Sequence, residues 1–217
     1  MTSVILFLDE EKPFAEYRYL LPLISEERRE RIEGMAVNGD KIRLLFSELL
    51  MRCEASEQLG VDFNEFIFDK GEFGKPYIVG ADGYDFSVSH SGQAIAFAGG
   101  FSAVGADIEL IKRRRNRVSQ RFFSENEVRF IEQSANSDEA FFEIWTKKEA
   151  YSKMLGKGLS LGFRSFDVTY NGLGGLFYNT TTHGYSFSVC SEEIEALQSI
   201  TEITESEFLQ KFNFTLC

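Results

Sequence analysis

The sequence predicts an α+β protein built from two similar halves. Helices are predicted where apolar residues recur at helical spacing behind capping residues, and strands where short alternating runs are bounded by glycine. The two halves are predicted from an internal match, because GYDFSV at residues 83–88 and GYSFSV at residues 184–189 agree at five of six positions. Helices and strands precede both copies in the same order, which favours an ancient duplication. Aromatic, serine and valine residues alternate in many strands, so a chance match is the alternative explanation.

The first half is predicted to contain two helices, a strand and a hairpin. Ser25 is a capping residue with acids directly after it, and Asp40 precedes the second, more apolar helix. Gly92 separates the two strands of the hairpin. The predicted elements are helices at residues 25–35 and 42–58 and strands at residues 65–68, 86–91 and 94–97.

The second half is predicted to begin with a strand that leads into an acidic motif. Ser124 caps the next helix, and a glycine-rich loop follows the long helix after it. The predicted elements are strands at residues 101–108, 165–170 and 184–189 and helices at residues 125–133 and 141–155. We therefore expect an N-terminal half of residues 1–100 and a C-terminal half of residues 101–217, with the functional site between them.

Composition and charge exclude several classes of protein. The net charge is -11 and the pI is about 4.8, whereas general nucleic-acid binding needs a basic surface. The three cysteines have no C-x-x-C spacing, which indicates neither a disulfide framework nor a zinc site. The apolar run at residues 4–8 is short and has no basic leader, unlike a signal peptide, and no run reaches membrane-spanning length. We expect a cytoplasmic monomer with no nucleic-acid or membrane partner.

Two acidic motifs predict a site for magnesium and phosphate. Asp107 and Glu109 lie two residues apart in a predicted strand, so both carboxylates leave the same face. Glu149 lies in a predicted helix with Lys153 one turn later, which places a third carboxylate beside an ammonium group. Magnesium prefers oxygen ligands together with substrate phosphates. Taken separately, each motif is more often a solvated acidic pair or a surface ion pair.

The order of the motifs resembles that of one enzyme family. SVSHS at residues 87–91 precedes GADIE at residues 105–109, and WTKKEAYSK at residues 145–153 follows about forty residues later. This pattern resembles the 4'-phosphopantetheinyl transferases of the surfactin-synthetase-activating (Sfp) type. The resemblance runs from about residue 24 to residue 165. It implies a fold of two pseudo-symmetric α+β halves with the active site between them.

The resemblance implies an enzyme that transfers the 4'-phosphopantetheine group of coenzyme A to a serine of an apo acyl or peptidyl carrier protein. The products are then the holo carrier and adenosine 3',5'-bisphosphate, with magnesium as the cofactor. The carrier's pathway, whether fatty acid, polyketide or nonribosomal peptide synthesis, stays open. Two alternatives remain: a non-catalytic relative that binds carrier proteins or coenzyme A, and a metal-dependent phosphodiesterase that acts on holo carrier protein by activating water.

The resemblance also implies which residues bind and react. The implied magnesium ligands are Asp107, Glu109 and Glu149. The implied coenzyme A contacts are Arg28, Arg31 and Arg43 at the 3'-phosphate, the loop of Phe73, Gly74, Lys75 and Pro76 against the adenine, with Lys75 reaching phosphate, and Ser89, His90 and Lys153 at phosphate. The implied catalytic residues are Glu149, Lys153 and His90. The base is either Glu149 itself or a magnesium-bound water.

A basic stretch follows the first acidic motif in this otherwise acidic chain. Its basic residues are Lys112, Arg113, Arg114, Arg115, Arg117 and Arg121. Such a charge run is usually a solvated face. Because carrier domains are commonly acidic around the modified serine, we predict that the stretch is part of the carrier-docking site. Phe122 and Phe123, at its end, are expected to lie in the core.

Overall fold

The fold is mixed α+β, as predicted. The computed structural model describes residues 1–9, 11–113, 121–170, 172–173, 175–193 and 200–214. The strands are β1 (Thr2–Phe7), β2 (Phe68–Lys70), β3 (Pro76–Ile78), β4 (Asp85–Ser91), β5 (Ala94–Gly100), β6 (Val104–Leu110), β7 (Leu176–Thr182), β8 (Tyr185–Ser191) and β9 (Thr201–Thr204). The helices are α1 (Glu26–Glu33), α2 (Asn38–Leu59), α3 (Glu125–Gln133), α4 (Ser137–Met154) and α5 (Glu205–Lys211), with short 3₁₀ helices at Phe14–Leu23, Phe63–Glu65, Gly158–Leu161 and Phe163–Ser165. No helix in these ranges is both long and apolar enough to cross a membrane.

The strands form three sheets within the described residues. The first sheet has the order β4-β5-β1-β9, with β1 antiparallel to β5 and parallel to β9. Because β9 comes from the end of the chain, the C-terminal segment returns to pack with the first half. The third sheet has the antiparallel order β6-β8-β7, and β2 pairs with β3 in a separate two-stranded sheet.

Two apolar cores hold these layers together. The buried face of α2, which includes Leu45 and Leu49, packs against Phe86 and Phe97 of the first sheet. A second core lies between the first and third sheets, where three alanines of β5 pack in one cluster with Ala106 of β6. Small side chains let the two sheets approach closely. This packing brings β4 of the first half beside β6 of the second half.

Most of the predicted elements are confirmed, with shifted ends. The two copies of the repeated motif lie in β4 and β8, the hairpin joins β4 to β5, and the long helices are α2 and α4. Helices α1 and α3 begin directly after the two predicted serine caps. The strand predicted at residues 101–108 begins only at Val104. The strand predicted at residues 65–68 is a 3₁₀ helix followed by β2.

The strand predicted at residues 165–170 is wrong, because the backbone there forms a 3₁₀ helix and turns. Lys148 Nζ donates hydrogen bonds to the carbonyl oxygens of Phe163 and Phe166, both at 2.6 Å. The side chain therefore binds backbone acceptors that would pair with a neighbouring strand in a sheet. The Asp167 carboxylate then accepts a hydrogen bond from the backbone N–H of Thr169 at 2.9 Å. This side-chain turn bends the chain away from an extended path.

Helix α4 lies directly on β6 at Gly105. A Cβ atom added to Gly105 would lie 1.9 Å from the carbonyl oxygen of Ala150 and 2.4 Å from the backbone nitrogen of Met154, far inside van der Waals contact. Only glycine therefore fits at this position. The close approach places the α4 residues that face β6 next to the acidic end of the strand.

We predict that Gly105→Ala forces α4 away from β6 and lowers the free energy of unfolding by about 3 kcal/mol. Urea denaturation followed by circular dichroism measures the change. Gly34→Ala is the matched control, because the added Cβ would meet its nearest atom at an ordinary 3.6 Å. An unchanged unfolding midpoint in Gly105→Ala would contradict this account of the packing.

Candidate active site

The centre of the site is formed by two hydrogen-bonded pairs of side chains, each of which joins a serine of β4 to a carboxylate of β6. Ser89 Oγ donates a hydrogen bond to Asp107 Oδ1 at 2.6 Å, and Ser91 Oγ donates one to Glu109 Oε2 at 2.7 Å. Both strands alternate their side chains, so every second residue of β4 faces every second residue of β6. The structure therefore brings together Asp107, Glu109 and Ser89, which the sequence motifs predicted to be site residues.

Ser91 is a site residue that the motifs did not assign. Its hydroxyl holds Glu109 and also accepts a hydrogen bond from the backbone N–H of Leu110 at 3.1 Å. A signal for this contact was present in the sequence. The alternation of serines in β4 has the same period as the alternation of carboxylates in β6, with 18 residues separating each bonded pair.

Lys153 reaches Asp107 from the other side, a contact that helical spacing did not predict, since it placed Lys153 beside Glu149. Its Nζ donates hydrogen bonds to Asp107 Oδ1 at 2.6 Å and to the carbonyl oxygen of Ala106 at 3.2 Å. Asp107 is 4% exposed, so this carboxylate is buried between the two halves. Its Oδ2 atom is also buried and has no hydrogen-bond partner among the described residues. A buried carboxylate oxygen without a partner is costly.

The third carboxylate lies in the field of the first two. The pKa of Glu149 is raised to about 7, first by burial and then by the negative charge of Asp107, with Lys153 acting in the opposite direction. The pKa of Glu109 is raised by burial and by Asp107, while the hydrogen bond from Ser91 lowers it. Burial is thus the main cause of both raised pKa values, and the neighbouring carboxylate charges add to it.

The three carboxylates are neighbours but do not form a ready-made metal site. Within the part of the chain that the structure describes, no group of three or more histidine, cysteine, aspartate or glutamate side chains is arranged so that it could hold a metal ion. Lys153 and Ser89 both bind Asp107 Oδ1 instead. The predicted ligand set of Asp107, Glu109 and Glu149 thus stays a prediction.

A cavity of about 260 Å³ opens beside this cluster, between the two halves. One wall is the loop that was predicted to bind adenine, and the other is α4 with the glycines that follow it. Its predicted site residues are Phe73, Gly74, Lys75, Pro76, Glu149 and Lys153. Lys75 Nζ is bound to the Asp85 carboxylate and to the carbonyl oxygen of Val104, the latter at 2.9 Å. Lys75 thus ties the loop to the start of β6.

A second cavity, of about 200 Å³, lies in the first half and shares Pro76 with the cavity between the halves. It is lined by Arg28 and Arg31 of α1 and by Lys70 of β2. Arg28 is half-buried and its Nε donates a hydrogen bond to Glu48 at 3.2 Å, whereas Arg31 is exposed. The carboxylates of Glu27, Glu48 and Asp69 line the same cavity, so it is bordered by charges of both signs.

His90 lies on the opposite face of β4 from Ser89, because neighbouring residues of a strand face opposite ways. The residue as a whole is exposed, but its ring is partly desolvated, which lowers its pKa, and the positive charges of Arg43 and Lys153 lower it further. His90 therefore faces away from the serine hydroxyls that hold the carboxylates, within the electrostatic influence of both Arg43 and Lys153.

The predicted docking stretch is described only at its two ends. Lys112 and Arg113 are exposed after β6, and Arg121 is exposed with its guanidinium 5.2 Å from the centre of the Phe122 ring. Arg114, Arg115 and Arg117 lie outside the described residues. Phe123 is buried, as expected, and Phe122 is partly buried against the same cluster of aromatic residues.

Comparison with known proteins gives a consistent result across both halves. Residues 12–102 match the family model described as "4'-phosphopantetheinyl transferase, N-terminal", and residues 103–212 match the "4'-phosphopantetheinyl transferase superfamily". A search of solved structures finds a partial likeness to the holo-[acyl-carrier-protein] synthase of Thermotoga maritima, with a TM-score of 0.32, 16% identity, and coverage of 42% of this chain and 62% of that chain.

Curated relatives match nearly the whole chain. The 4'-phosphopantetheinyl transferase psf-1 of Bacillus pumilus is 29% identical, covering 95% of each chain. The transferase ffp of Bacillus subtilis is 30% identical, covering 94% of this chain and 98% of its own, and Sfp of Bacillus subtilis strain 168 is 28% identical with the same coverage. Together with the matching family models, these relatives show that the chain belongs to the 4'-phosphopantetheinyl transferase superfamily.

Proposed function

We propose that the protein transfers the 4'-phosphopantetheine group of coenzyme A to a serine of an apo acyl or peptidyl carrier protein, releasing adenosine 3',5'-bisphosphate. The observation that carries this proposal is the buried carboxylate of Asp107. It is bound by Ser89 from one half and by Lys153 from the other, beside a cavity that both halves line. Family membership supports the same activity.

Magnesium is the proposed metal, with Asp107, Glu109 and Glu149 as its ligands. Asp107 Oδ2 is a buried acceptor without a hydrogen-bond partner in the described residues, and burial, together with the neighbouring carboxylates, raises the pKa values of Glu109 and Glu149. Carboxylate oxygens are ligands that magnesium prefers. The donor set therefore fits the ion, provided that the side chains close around it. When bound, the ion supplies positive charge to the phosphate oxygens.

Two cavities that share Pro76 support coenzyme A as the co-substrate. Arg28 and Arg31 line one cavity, and Lys75 and Lys153 line the other, so each cavity presents positive groups. Coenzyme A carries phosphate groups at two separated places. We place its 3'-phosphate near the two arginines and its pyrophosphate near the lysines, where ammonium and guanidinium groups bind phosphate oxygens.

The proposed transfer is an in-line displacement at the β-phosphorus. The serine oxygen of the carrier forms the new O–P bond, and the bond from that phosphorus to the bridging oxygen breaks with its electron pair leaving on the bisphosphate. Glu149 lines the cavity beside Lys153, where it is positioned to accept the serine proton. Lys153 stabilises the negative charge that develops on the phosphate oxygens.

We expect the purified protein, given coenzyme A, magnesium and an apo carrier domain, to add one phosphopantetheine to the carrier, as seen by mass spectrometry. Asp107→Asn should lower kcat on the order of 100-fold, since it removes a charge at the centre of the site. Asp82→Asn is the control, because Asp82 is exposed and lines neither of the two cavities. Loss of phosphopantetheine from holo carrier, without gain on the apo form, would favour the phosphodiesterase instead.

The carboxylate cluster predicts a link between pH, metal and stability. The pKa of Glu149 rises from 4.5 to about 7 on folding, so the folded state binds the proton more tightly. In chelator, its contribution to the free energy of unfolding therefore falls as pH rises from 4.5 to 7. Glu149→Gln should remove that loss, so the variant gains stability relative to the wild type between pH 5 and pH 8.

At pH 8, magnesium should reverse the loss of stability that the ionised Glu149 causes. We expect it to raise the Tm of the wild type, because it offsets the carboxylate charges, and to raise the Tm of Glu149→Gln much less. Thermal unfolding with and without the ion measures both. If magnesium shifts the two proteins equally, or if their difference in stability does not change with pH, Glu149 is not part of a metal-binding cluster.

We propose the basic stretch as part of the carrier-docking surface. Lys112 and Arg113 are exposed at the end of the strand that carries Asp107 and Glu109, which places positive charge close to the reacting centre. Arg113→Glu should raise the KM for an acidic carrier about tenfold at low salt, and less at high salt, without changing the KM for coenzyme A. Arg18→Glu, at an exposed position in the first half, is the control. Equal KM values for the carrier in both variants would remove the docking assignment.

A further inference from the structure

A buried carboxylate on α2 holds one of the arginines that line the first-half cavity. Glu48 is 1% exposed. It accepts hydrogen bonds from the backbone N–H of Ser25 at 2.7 Å, from Arg28 Nε at 3.2 Å and from Arg52 Nε at 2.9 Å. One negative charge thus lies between two guanidinium groups. Because buried charges are costly unless they are paired, this carboxylate fixes the positions of its partners.

Arg28 faces the cavity with part of its hydrogen-bonding capacity available. Its side chain is 24% exposed, and its Nε atom is bound to Glu48. Neither of its Nη atoms donates a hydrogen bond to another described residue. A guanidinium group held through Nε can present its Nη groups to a phosphate. Arg31 and Lys70 line the same cavity.

The second half contains the same arrangement with the charges exchanged. In each half, a short helix has a capping serine, and a charged residue three positions later pairs with the long helix. The two ion pairs are Arg28–Glu48 in the first half and Glu127–Lys148 in the second half. Both members of the second pair are 0% exposed, so that pair lies wholly within the core. In the first half the exchanged charges put a cation at the wall of a cavity.

A second difference between the two halves, in the side chain that binds the loop after the long helix, leaves Arg28 available to a ligand. In the second half, Lys148 also binds two backbone carbonyl oxygens of the following loop. The equivalent carbonyl oxygens in the first half, those of Phe63 and Phe66, are bound instead by Arg52 at 2.9 and 3.0 Å. Arg52, which also pairs with Glu48, therefore holds the loop, and Arg28 is not needed for that purpose.

We propose that Glu48 is a positioning residue for coenzyme A, which acts by holding the Arg28 guanidinium where it binds the 3'-phosphate. This rests on the proposed function, which assigns Arg28 to that phosphate. Glu48 itself does not touch the substrate. A guanidinium fixed in advance loses less conformational freedom when the phosphate binds, so the affinity for the 3'-phosphate depends on the carboxylate behind it.

Dephospho-coenzyme A, which lacks the 3'-phosphate, separates this role from a purely structural one. Glu48→Gln removes the charge and keeps the shape of the side chain. We expect it to raise the KM for coenzyme A about tenfold and the KM for dephospho-coenzyme A less than twofold. Arg28→Ala should show the same selective loss. The double variant should lose little more than either single one, because both act on one contact.

Glu54→Gln is the matched control on the same helix. Glu54 is a buried carboxylate, 2% exposed, that pairs with Lys211 of α5 and has no contact with Arg28. We expect this variant to lower the Tm while leaving the ratio of the two KM values at its wild-type value. If Glu48→Gln does not fold, Glu48→Asp is tested in the same way, since it keeps the charge but draws it back from Arg28.

The outcomes distinguish the two levels of the proposal. Equal increases in both KM values in the Glu48 variants, with selective loss in Arg28→Ala, would overturn the positioning role alone. No selective loss in Arg28→Ala would remove the 3'-phosphate assignment on which that role rests. Calorimetric binding of adenosine 3',5'-bisphosphate and adenosine 5'-monophosphate gives a second readout without turnover. There, Glu48→Gln should weaken only the bisphosphate.

Discussion

The site depends on the contact between the backbone of α4 and β6 at Gly105. With any side chain at that position, the helix could not lie on the strand, because its Ala150 carbonyl oxygen occupies the space of a Cβ atom. The contact sets the height of Lys153 above the strand and so allows its ammonium group to reach Asp107. The serines of β4 then complete the site from the other half. A backbone contact within one half thus brings Lys153 to Asp107, a carboxylate that side chains of both halves bind.

The buried charged residues of the chain fall into two groups. One group consists of ion pairs that stabilise the core, and the other consists of carboxylates that neighbouring groups do not fully satisfy. Lys148 and Glu127 are fully buried and satisfied by each other and by backbone groups, so they need nothing further. Asp107 and Glu149 differ, since one has a buried oxygen without a partner in the described structure and the other has a strongly raised pKa. Such unbalanced charge is costly for folding and is typical of binding and catalytic sites.

The sequence predicted the parts of the site that follow from period and spacing. Alternation placed Asp107 and Glu109 on one strand face, and helical spacing placed Lys153 beside Glu149. Contacts between distant segments could not be predicted in the same way. Two such contacts depend on how separate elements pack. Lys75 binds Asp85, and Lys148 binds backbone carbonyl oxygens of the loop that was expected to be a strand. Local propensity carries no information on such partners.

We propose that Asp107 Oδ2 is the unfilled ligand position of a metal held by carboxylates of the second half, beside the cavity that both halves line. A crystal structure of the protein with coenzyme A and manganese, which replaces magnesium and scatters anomalously, tests it most directly. The account predicts one anomalous peak at direct ligand distance from Asp107 Oδ2, about 2 Å for a hard divalent cation, with Glu109 and Glu149 as its other protein neighbours. A peak elsewhere, or an Asp107 Oδ2 contacted only by water in the loaded protein, would contradict it.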